Sequence, residues 1–110
     1  MLSDEVLRVL PDMPPLRIRQ GGAIAERSLV HRVNAAYPLE AKFRRLSGIV
    51  RLHMVIDTHG AVSVVEPLSG HPLLVPPAVD AVKQWRYRPT TLNGEPVEVD
   101  TTIDVIFSLQ

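Results

Sequence analysis

The clearest hydrophobic pattern in this chain is an alternation with a period of two near its C-terminus. One face of the pattern carries Val97, Val99, Thr101, Ile103, Val105, Phe107 and Leu109. The other face carries Glu98, Asp100, Thr102, Asp104, Ile106 and Ser108. Because successive side chains of a strand point to opposite sides of a sheet, this pattern predicts a long strand with one buried face.

Two earlier segments also read as strands, joined by a hairpin. Residues 49–56 alternate, with Val50, Leu52, Met54 and Ile56 on one side and Ile49, Arg51, His53 and Val55 on the other. Residues 57–60 form the predicted turn, in which Gly60 supplies the positive φ that tight hairpins require. The second strand, residues 61–68, shifts its apolar phase once, as a β-bulge would.

Two short helices are predicted from apolar residues at three- and four-residue steps. The first begins at Pro38, places Leu39, Phe43 and Leu46 on one face, and ends at residues 47–48. The second has Pro77 in its first turn and ends before Pro89. Its apolar face is formed by Ala78, Ala81, Val82 and Trp85.

These elements predict an α+β domain. We expect a three-stranded antiparallel sheet with two helices packed on one face, in the order α-β-β-α-β, over residues 23–110. Residues 1–22 read as a linker or loosely ordered extension, because three prolines lie between residues 11 and 15 and a glycine pair follows at 21–22. Residues 29–33 carry a weak signal for a short strand.

Composition excludes several classes of function. The formal net charge is zero, which argues against a general nucleic-acid binder. The chain has no cysteine, which rules out disulfides and thiolate metal sites. It has no apolar run long enough to span a membrane, and residues 2–5 do not resemble a signal peptide.

Charge is nevertheless unevenly distributed. Residues 17–51 contain eight basic and two acidic side chains. From residue 90 onward, all charged side chains are acidic. Two interpretations remain open: the two regions lie together and neutralise each other, or they form a surface for an oppositely charged partner.

The segment around the only tryptophan also allows two interpretations. Residues 80–89 read DAVKQWRYRP, which fits either a basic-aromatic binding patch or a helix end with one large ring facing the core. The spacing of Trp85 from Ala81 and Val82 favours the core position.

No catalytic or metal-binding pattern is found. The four histidines lie in different predicted elements without ligand spacing, no serine has a nucleophile-elbow context, and Gly21-Gly22 lacks the setting of a phosphate loop. We therefore predict no enzymatic activity, no metal and no cofactor. A small sheet has exposed edges, however, and exposed edges recruit other strands.

Taken together, the ordered motifs resemble the C-terminal domain of the energy transducer TonB family from about residue 33 to 110. The resemblance rests on Tyr37-Pro38 with Ala41, Gly48 with Val50, Asp57 and Gly60, SGHPLL at 69–74, Ala78 with Ala81-Val82, QWRYRP at 84–89, NGEPV at 93–97, and Phe107.

The resemblance implies a periplasmic domain that binds an extended transporter segment, the TonB box, by adding it as a strand. The implied recipient edge is the last strand: Val97, Glu98, Val99, Asp100, Thr101, Thr102, Ile103, Asp104, Val105, Ile106 and Phe107. A second implied transporter contact is the segment Asn34, Ala35, Ala36, Tyr37 and Pro38.

The implied partners are TonB-dependent outer-membrane transporters and, through an N-terminal anchor in the inner membrane, an ExbB/ExbD-like motor. Neither a nucleic acid nor a small-molecule substrate is implied. Because the anchor and proline-rich spacer of the family are not present in this sequence, we expect it to be a domain of a longer protein.

Two alternatives to transporter binding remain open. The same edge could pair with a second copy, which would make the domain a dimerisation or structural module of the cell envelope. A small ligand-binding or catalytic site using His53, His71 or Arg88 would require the fold to bring these residues together.

Overall fold

The computed structural model describes residues 14–109 and contains seven strands and three helices in that range. In chain order these are β1 (Arg17–Arg19), α1 (Gly22–Glu26), β2 (Leu29–His31), α2 (Leu39–Phe43), β3 (Gly48–Ile56), β4 (Val62–Ser69), α3 (Val75–Val82), β5 (Arg86–Tyr87), β6 (Thr90–Leu92) and β7 (Glu95–Phe107).

The three predicted long strands form the centre of the fold. β3 lies between β4 and β7 and is antiparallel to both, which confirms the predicted antiparallel sheet. β3 and β7 pair without interruption from Gly48↔Phe107 to Ile56↔Val99. The β3–β4 ladder shifts register twice, and Ser63 and Leu68 are the extra residues in β4. The predicted bulge in the second strand is therefore confirmed.

The turn between β3 and β4 is held by Asp57. Its carboxylate oxygen Oδ1 accepts hydrogen bonds from the main-chain N–H groups of His59, at 2.8 Å, and Ala61, at 3.0 Å. Gly60 has φ of +87°, a conformation that residues with a Cβ rarely adopt. The turn therefore depends on an Asx-type cap and on the absence of a side chain at residue 60.

The core lies between the inner face of the sheet and the helices, as predicted. Leu52, Met54 and Val99 of the sheet are fully buried beneath α3 and α2. The helices and the residues on either side of α3 contribute Ala41, Leu74, Ala78, Val82, Trp85 and Tyr87 to this core. Thr101 is also buried, and its hydroxyl has no hydrogen-bond partner within the described range.

The predicted apolar face of α2 is wrong at Leu39 and Phe43, although Leu46 is partly buried against the core. Leu39 and Phe43 are 68% and 79% exposed, whereas Ala41 is fully buried. Two residues correspond to about 200° around a helix. A helix that turns Ala41 towards the core therefore turns Leu39 and Phe43 towards solvent. The i, i+4 spacing of Leu39 and Phe43 identifies a shared face, but it does not say which face meets the sheet.

Trp85 is in the core, with only 6% of its surface exposed, so the core interpretation is confirmed over the binding patch. Its position differs in one respect from the prediction. α3 ends at Val82, and Trp85 lies in the turn that leads into β5.

Several short elements were not predicted from the sequence, whereas β2 coincides with the weak strand signal at residues 29–33. β1 pairs with β7 in parallel, β2 pairs with β5, and β6 pairs with the start of β7 through a hairpin at Asn93 and Gly94. The main sheet thus has the order β1-β7-β3-β4, and the α+β class stands. The assignment of residues 1–22 to a linker or extension stays a prediction, since residues 1–13 lie outside the described range and residues 17–19 form β1.

Candidate functional site

The recipient edge predicted at residues 97–107 is the side of β7 that faces away from β3. The N–H of Glu98 donates to the carbonyl of Leu16, and the carbonyl of Asp100 accepts from the N–H of Gln20. Main-chain groups alternate between the two sides of a strand. The even-numbered residues of β7 therefore direct their N–H and C=O groups outward, whereas Val97 pairs with β6 and the odd-numbered residues 99–107 pair with β3.

Part of this edge is occupied by the chain itself. β1 runs along Glu98, Val99 and Asp100. Gly22, at the start of α1, lies so close to β7 that a Cβ on it would stand 2.6 Å from the carbonyl oxygen of Thr102. Within residues 14–109, the outward main-chain groups of Asp104 and Ile106 have no strand beside them. The accessible edge is thus the C-terminal half of β7.

A groove of about 860 Å³ lies beside this accessible half. One wall is formed by β7, and the opposite wall is formed by residues 32–35 and Tyr37 together with Trp85. Gly22, Ala23 and Glu26 of α1 also line the groove. Ile103 and Val105 belong to the inner face of the sheet, yet they are only half-buried because the groove exposes them. A strand placed along the edge would therefore meet both main-chain groups and apolar side chains.

The second predicted contact segment, residues 34–38, forms the wall opposite β7. Asn34 and Ala36 are exposed, whereas Ala35, Tyr37 and Pro38 are partly buried. The groove is lined by Asn34, Ala35 and Tyr37. The structure thus brings this segment and the C-terminal half of β7 to one groove.

Contacts at both ends hold this segment in place. At its start, the Trp85 Nε1–H donates to the Val33 carbonyl at 2.8 Å, and the Arg32 guanidinium lies 4.9 Å from the centre of the Trp85 ring. At its end, the Tyr37 hydroxyl donates to the Leu46 carbonyl, and the Tyr37 ring packs edge-on against Phe107 with centroids 5.4 Å apart. These contacts make the wall a defined surface of the domain.

The outer face of β7 carries paired charges. Arg17 contacts Glu98 at 3.2 Å, Arg19 contacts Asp100 at 3.8 Å, and Arg51 contacts Asp104 at 2.9 Å. These three pairs join the basic region to the acids of the last strand, which supports mutual neutralisation for Arg17, Arg19 and Arg51. Exposed pairs contribute little to stability, so their main effect is on register and local charge.

His53 sits between two carboxylates on this face. Its Nε2 lies 2.9 Å from Asp100 and its Nδ1 lies 3.3 Å from Glu66, as the predicted outer-face position allowed. The hydrogen bond with Asp100 is the main cause that raises the pKa of His53, and the hydrogen bond with Glu66 adds to it, while partial burial opposes both. Arg19 pairs with the same Asp100 carboxylate, and Arg51 pairs with Asp104 further along β7.

A histidine with a raised pKa in the folded state stabilises the fold when it is protonated. We expect this contribution to be complete below about pH 6.5 and to be lost as the pH rises through the raised pKa of His53. Urea unfolding at several pH values measures it. The variant His53→Gln should lose this pH dependence, whereas the control His59→Gln should keep it; an unchanged profile in His53→Gln would contradict the assignment.

Other chemistry does not assemble in the described part of the chain. The groove is lined by none of His53, His71 and Arg88, so the fold does not gather them there. Across residues 14–109 no group of three or more His, Cys, Asp or Glu side chains is arranged to hold a metal ion. The two acids beside His53 contact opposite ring nitrogens and do not converge. No helix in this range has the length and apolar character needed to cross a membrane.

Comparison with known proteins identifies the family. Residues 33–109, well over half of the chain, match the family model described as the Gram-negative bacterial TonB protein C-terminal. Protein TonB of Haemophilus ducreyi (strain 35000HP / ATCC 700724) is 33% identical over 90 residues, which cover 80% of this chain and 31% of that protein. The chain thus spans about a third of the length of this curated relative.

A solved structure shows the same fold. The solution NMR structure of the Pseudomonas aeruginosa TonB CTD matches with a TM-score of 0.64 and 21% sequence identity. The match covers 74% of this chain and 85% of that one. With the fold, the edge strand and the family match in agreement, the chain belongs to the family of TonB C-terminal domains.

Proposed function

We propose that this chain is the periplasmic protein-binding domain of a TonB-type energy transducer. In this proposal it binds the TonB box of outer-membrane transporters by adding it as a strand to β7, and so couples the proton-motive force to nutrient import. The observation that carries the proposal is the accessible edge at Asp104 and Ile106 next to a groove that exposes the apolar side chains of Ile103 and Val105. Family membership supports the choice of partner.

Strand addition suits the chemistry of this edge. Each added main-chain hydrogen bond contributes roughly 0.5–1.5 kcal/mol, largely independent of the side chains of the incoming strand. The groove beside the edge offers Ile103, Val105 and Phe107 to alternate side chains of that strand. Main-chain bonds would thus supply general affinity, and the groove would supply selectivity.

The same geometry suits a link that carries force. An incoming strand lies alongside β7, so a pull along the strand direction loads several hydrogen bonds at once. β7 itself is tied to β3 over nine residue pairs, from Gly48↔Phe107 to Ile56↔Val99. We propose that a parent protein anchored in the inner membrane passes force from an ExbB/ExbD-like motor through this sheet.

The main-chain contribution is tested by the variant Ile106→Pro. Proline at residue 106 removes an outward N–H but leaves the bonds of Val105 and Phe107 to β3 in place, which an edge position tolerates. We expect the affinity for fluorescent TonB-box peptides to fall about tenfold, equivalent to about 1.4 kcal/mol. Fluorescence anisotropy gives the affinity, and circular dichroism checks the fold.

The matched control is Ile106→Ala, which removes the side chain and keeps the N–H. Ile106 is 69% exposed, so truncation should leave the fold unchanged and reduce peptide affinity less than proline does. Equal peptide affinity in the wild type and in a correctly folded Ile106→Pro variant would reject strand addition at this edge.

A second candidate function follows from the same accessible edge. Two copies that pair along their β7 strands would form a dimerisation or structural module of the cell envelope. Sedimentation velocity at several concentrations distinguishes the two functions. A dimer that persists at low micromolar concentration and excludes TonB-box peptides would favour the second, whereas a monomer at high micromolar concentration removes it.

A further inference from the structure

We propose that residues 16–20 act as an internal strand ligand that covers the N-terminal half of the binding edge and that an incoming strand displaces. This inference rests on the proposed function, because it concerns regulation of the same edge. It assigns a role to a segment that lies before the family match, which begins at residue 33.

The main-chain contacts of this segment are those of a bound strand. The Leu16 carbonyl accepts from Glu98 N–H at 2.8 Å, and the Gln20 N–H donates to the Asp100 carbonyl at 3.0 Å. Between them Arg17, Ile18 and Arg19 pair in register with Glu98, Val99 and Asp100. The groups of β7 that a foreign strand would use are therefore already satisfied over residues 98–100.

The side chains of the segment match the edge on both faces. Arg17 and Arg19 lie opposite Glu98 and Asp100 on the outer face, while Ile18 packs against the core on the inner face. The sequence Leu16-Arg17-Ile18-Arg19 thus complements the acidic and apolar alternation of β7. This complementarity makes the pairing specific.

The same contacts are weak enough to be reversible. β1 has only three residues, and its two ion pairs are exposed, with 51% and 78% of the Arg17 and Arg19 side chains accessible. Exposed pairs contribute about 0–1 kcal/mol each. Short edge elements with exposed contacts open at a lower free energy than the sheet centre.

Displacement is required because α1 extends the covered region. Gly22 lies against the carbonyl of Thr102, so β1 and the start of α1 together cover residues 98–102. Only the C-terminal half of β7 remains for a strand that meets the domain in this state. A longer strand binds only the fraction of molecules in which residues 16–22 have left, and its apparent affinity is reduced by that fraction.

Gly22 offers a way to release the segment without changing β7. In Gly22→Ala, the new methyl group meets the carbonyl oxygen of Thr102 at 2.6 Å, so we expect residues 16–22 to move away from β7. Gly21→Ala is the matched control, because a Cβ there has no atom within 4 Å. Gly21 also has a φ of −65°, which alanine adopts readily.

The first measurement uses the full chain without any ligand. Amide hydrogen exchange followed by NMR should show protection of Gln20 and Glu98 in the wild type and in Gly21→Ala. In Gly22→Ala we expect protection of both amides to fall at least about tenfold, while amides of the β3–β7 ladder stay protected. Unprotected Gln20 and Glu98 amides in the wild type would overturn the proposal.

The second measurement uses two probes: a peptide with the sequence of residues 14–21 and a TonB-box peptide. Both should bind Gly22→Ala about tenfold more tightly than the wild type or Gly21→Ala. The TonB-box peptide should also remove protection from Gln20 when it binds the wild type. If it binds with Gln20 still protected, no displacement occurs and the proposal fails.

The double variant Arg17→Glu/Arg19→Glu provides a second route, because it places acids opposite Glu98 and Asp100. It should release residues 16–20 from β7, as Gly22→Ala does. The control Lys83→Glu/Arg88→Glu makes the same change in net charge away from β7 and should leave residues 16–20 in place. Protection that depends on protein concentration would instead indicate exchange of residues 16–20 between copies, which contradicts an internal ligand.

The outcomes also separate this proposal from the proposed function. If the 14–21 peptide binds Gly22→Ala and TonB-box peptides do not, the internal strand is supported. The same result rejects the transporter as partner and therefore also rejects displacement by the transporter. Binding of TonB-box peptides with equal affinity to the wild type, Gly21→Ala and Gly22→Ala supports the proposed function and rejects the internal strand.

Discussion

Replacing Gly60 with alanine is expected to destabilise the domain by at least about 3 kcal/mol. Gly60 has φ of +87°, and a Cβ on it would stand 1.9 Å from the carbonyl oxygen of Tyr87. The Gly60 carbonyl also accepts the N–H of Tyr87 at 2.8 Å. Any shift that relieves the clash therefore separates the β3–β4 turn from the segment that carries Trp85 and Tyr87.

The matched control for this prediction is Gly94→Ala. Gly94 has φ of +82°, but a Cβ there has no atom within 4 Å. Its replacement should cost only the strain of the left-handed conformation, about 1–2 kcal/mol. Urea unfolding of both variants separates strain from the clash, and equal losses of stability would show that Tyr87 does not crowd residue 60.

Truncation of Trp85 to alanine is the second large effect, with an expected loss of about 3–5 kcal/mol in the free energy of unfolding. The ring is 6% exposed and packs in the core, and its Nε1–H holds the Val33 carbonyl. Loss of the ring thus leaves a cavity and also releases one end of residues 33–38. Denaturant unfolding measures the stability loss.

The conservative variant Trp85→Phe separates these two roles. Phenylalanine keeps most of the buried area but cannot donate to Val33, so we expect a smaller loss of about 1–2 kcal/mol. Because the groove wall at residues 33–37 would lose its anchor, affinity for TonB-box peptides should still fall. A Trp85→Phe variant as unstable as Trp85→Ala would contradict the view that ring burial dominates.

The long strands and the core were predictable because each carries many repeats of a period. β3 and β7 alternate over most of their length and both have the buried inner faces expected, but Val55, which was predicted on the outer face of β3, is also buried. β1, β5 and β6 have two or three residues each, too few to establish any period. The prediction for the buried face of α2 was wrong because this helix is also too short to establish a period. Ala41 is buried, and Leu39 and Phe43 are exposed.

The site was predictable as a strand but not as a surface. Alternation identifies which side chains of β7 face the core, yet it says nothing about which main-chain groups lack a partner. Whether a main-chain group of β7 is free depends on the strands beside β7. One of these is β1, which lies within the range predicted as a linker or extension. The alternation of Leu16, Arg17, Ile18 and Arg19, opposite in charge to Glu98 and Asp100, was the available signal.

The two predicted contact regions remain proposals, and they differ in how much of each region is accessible. The structure places residues 34–38 along the groove, where Tyr37 contacts Phe107 of β7. Of the eleven residues predicted as the recipient edge, Asp104 and Ile106 have outward main-chain groups with no strand beside them. The edge of β7 thus has a covered part and a short accessible part. The accessible part can bind a strand, and the covered part is protected from unwanted pairing.

The most direct test of strand addition is amide hydrogen exchange at Asp104 and Ile106, with and without a saturating TonB-box peptide. Strand addition predicts that both amides exchange quickly in the free domain and become protected by at least about tenfold when the peptide is bound. A bound peptide that leaves the exchange of Asp104 and Ile106 unchanged would contradict it.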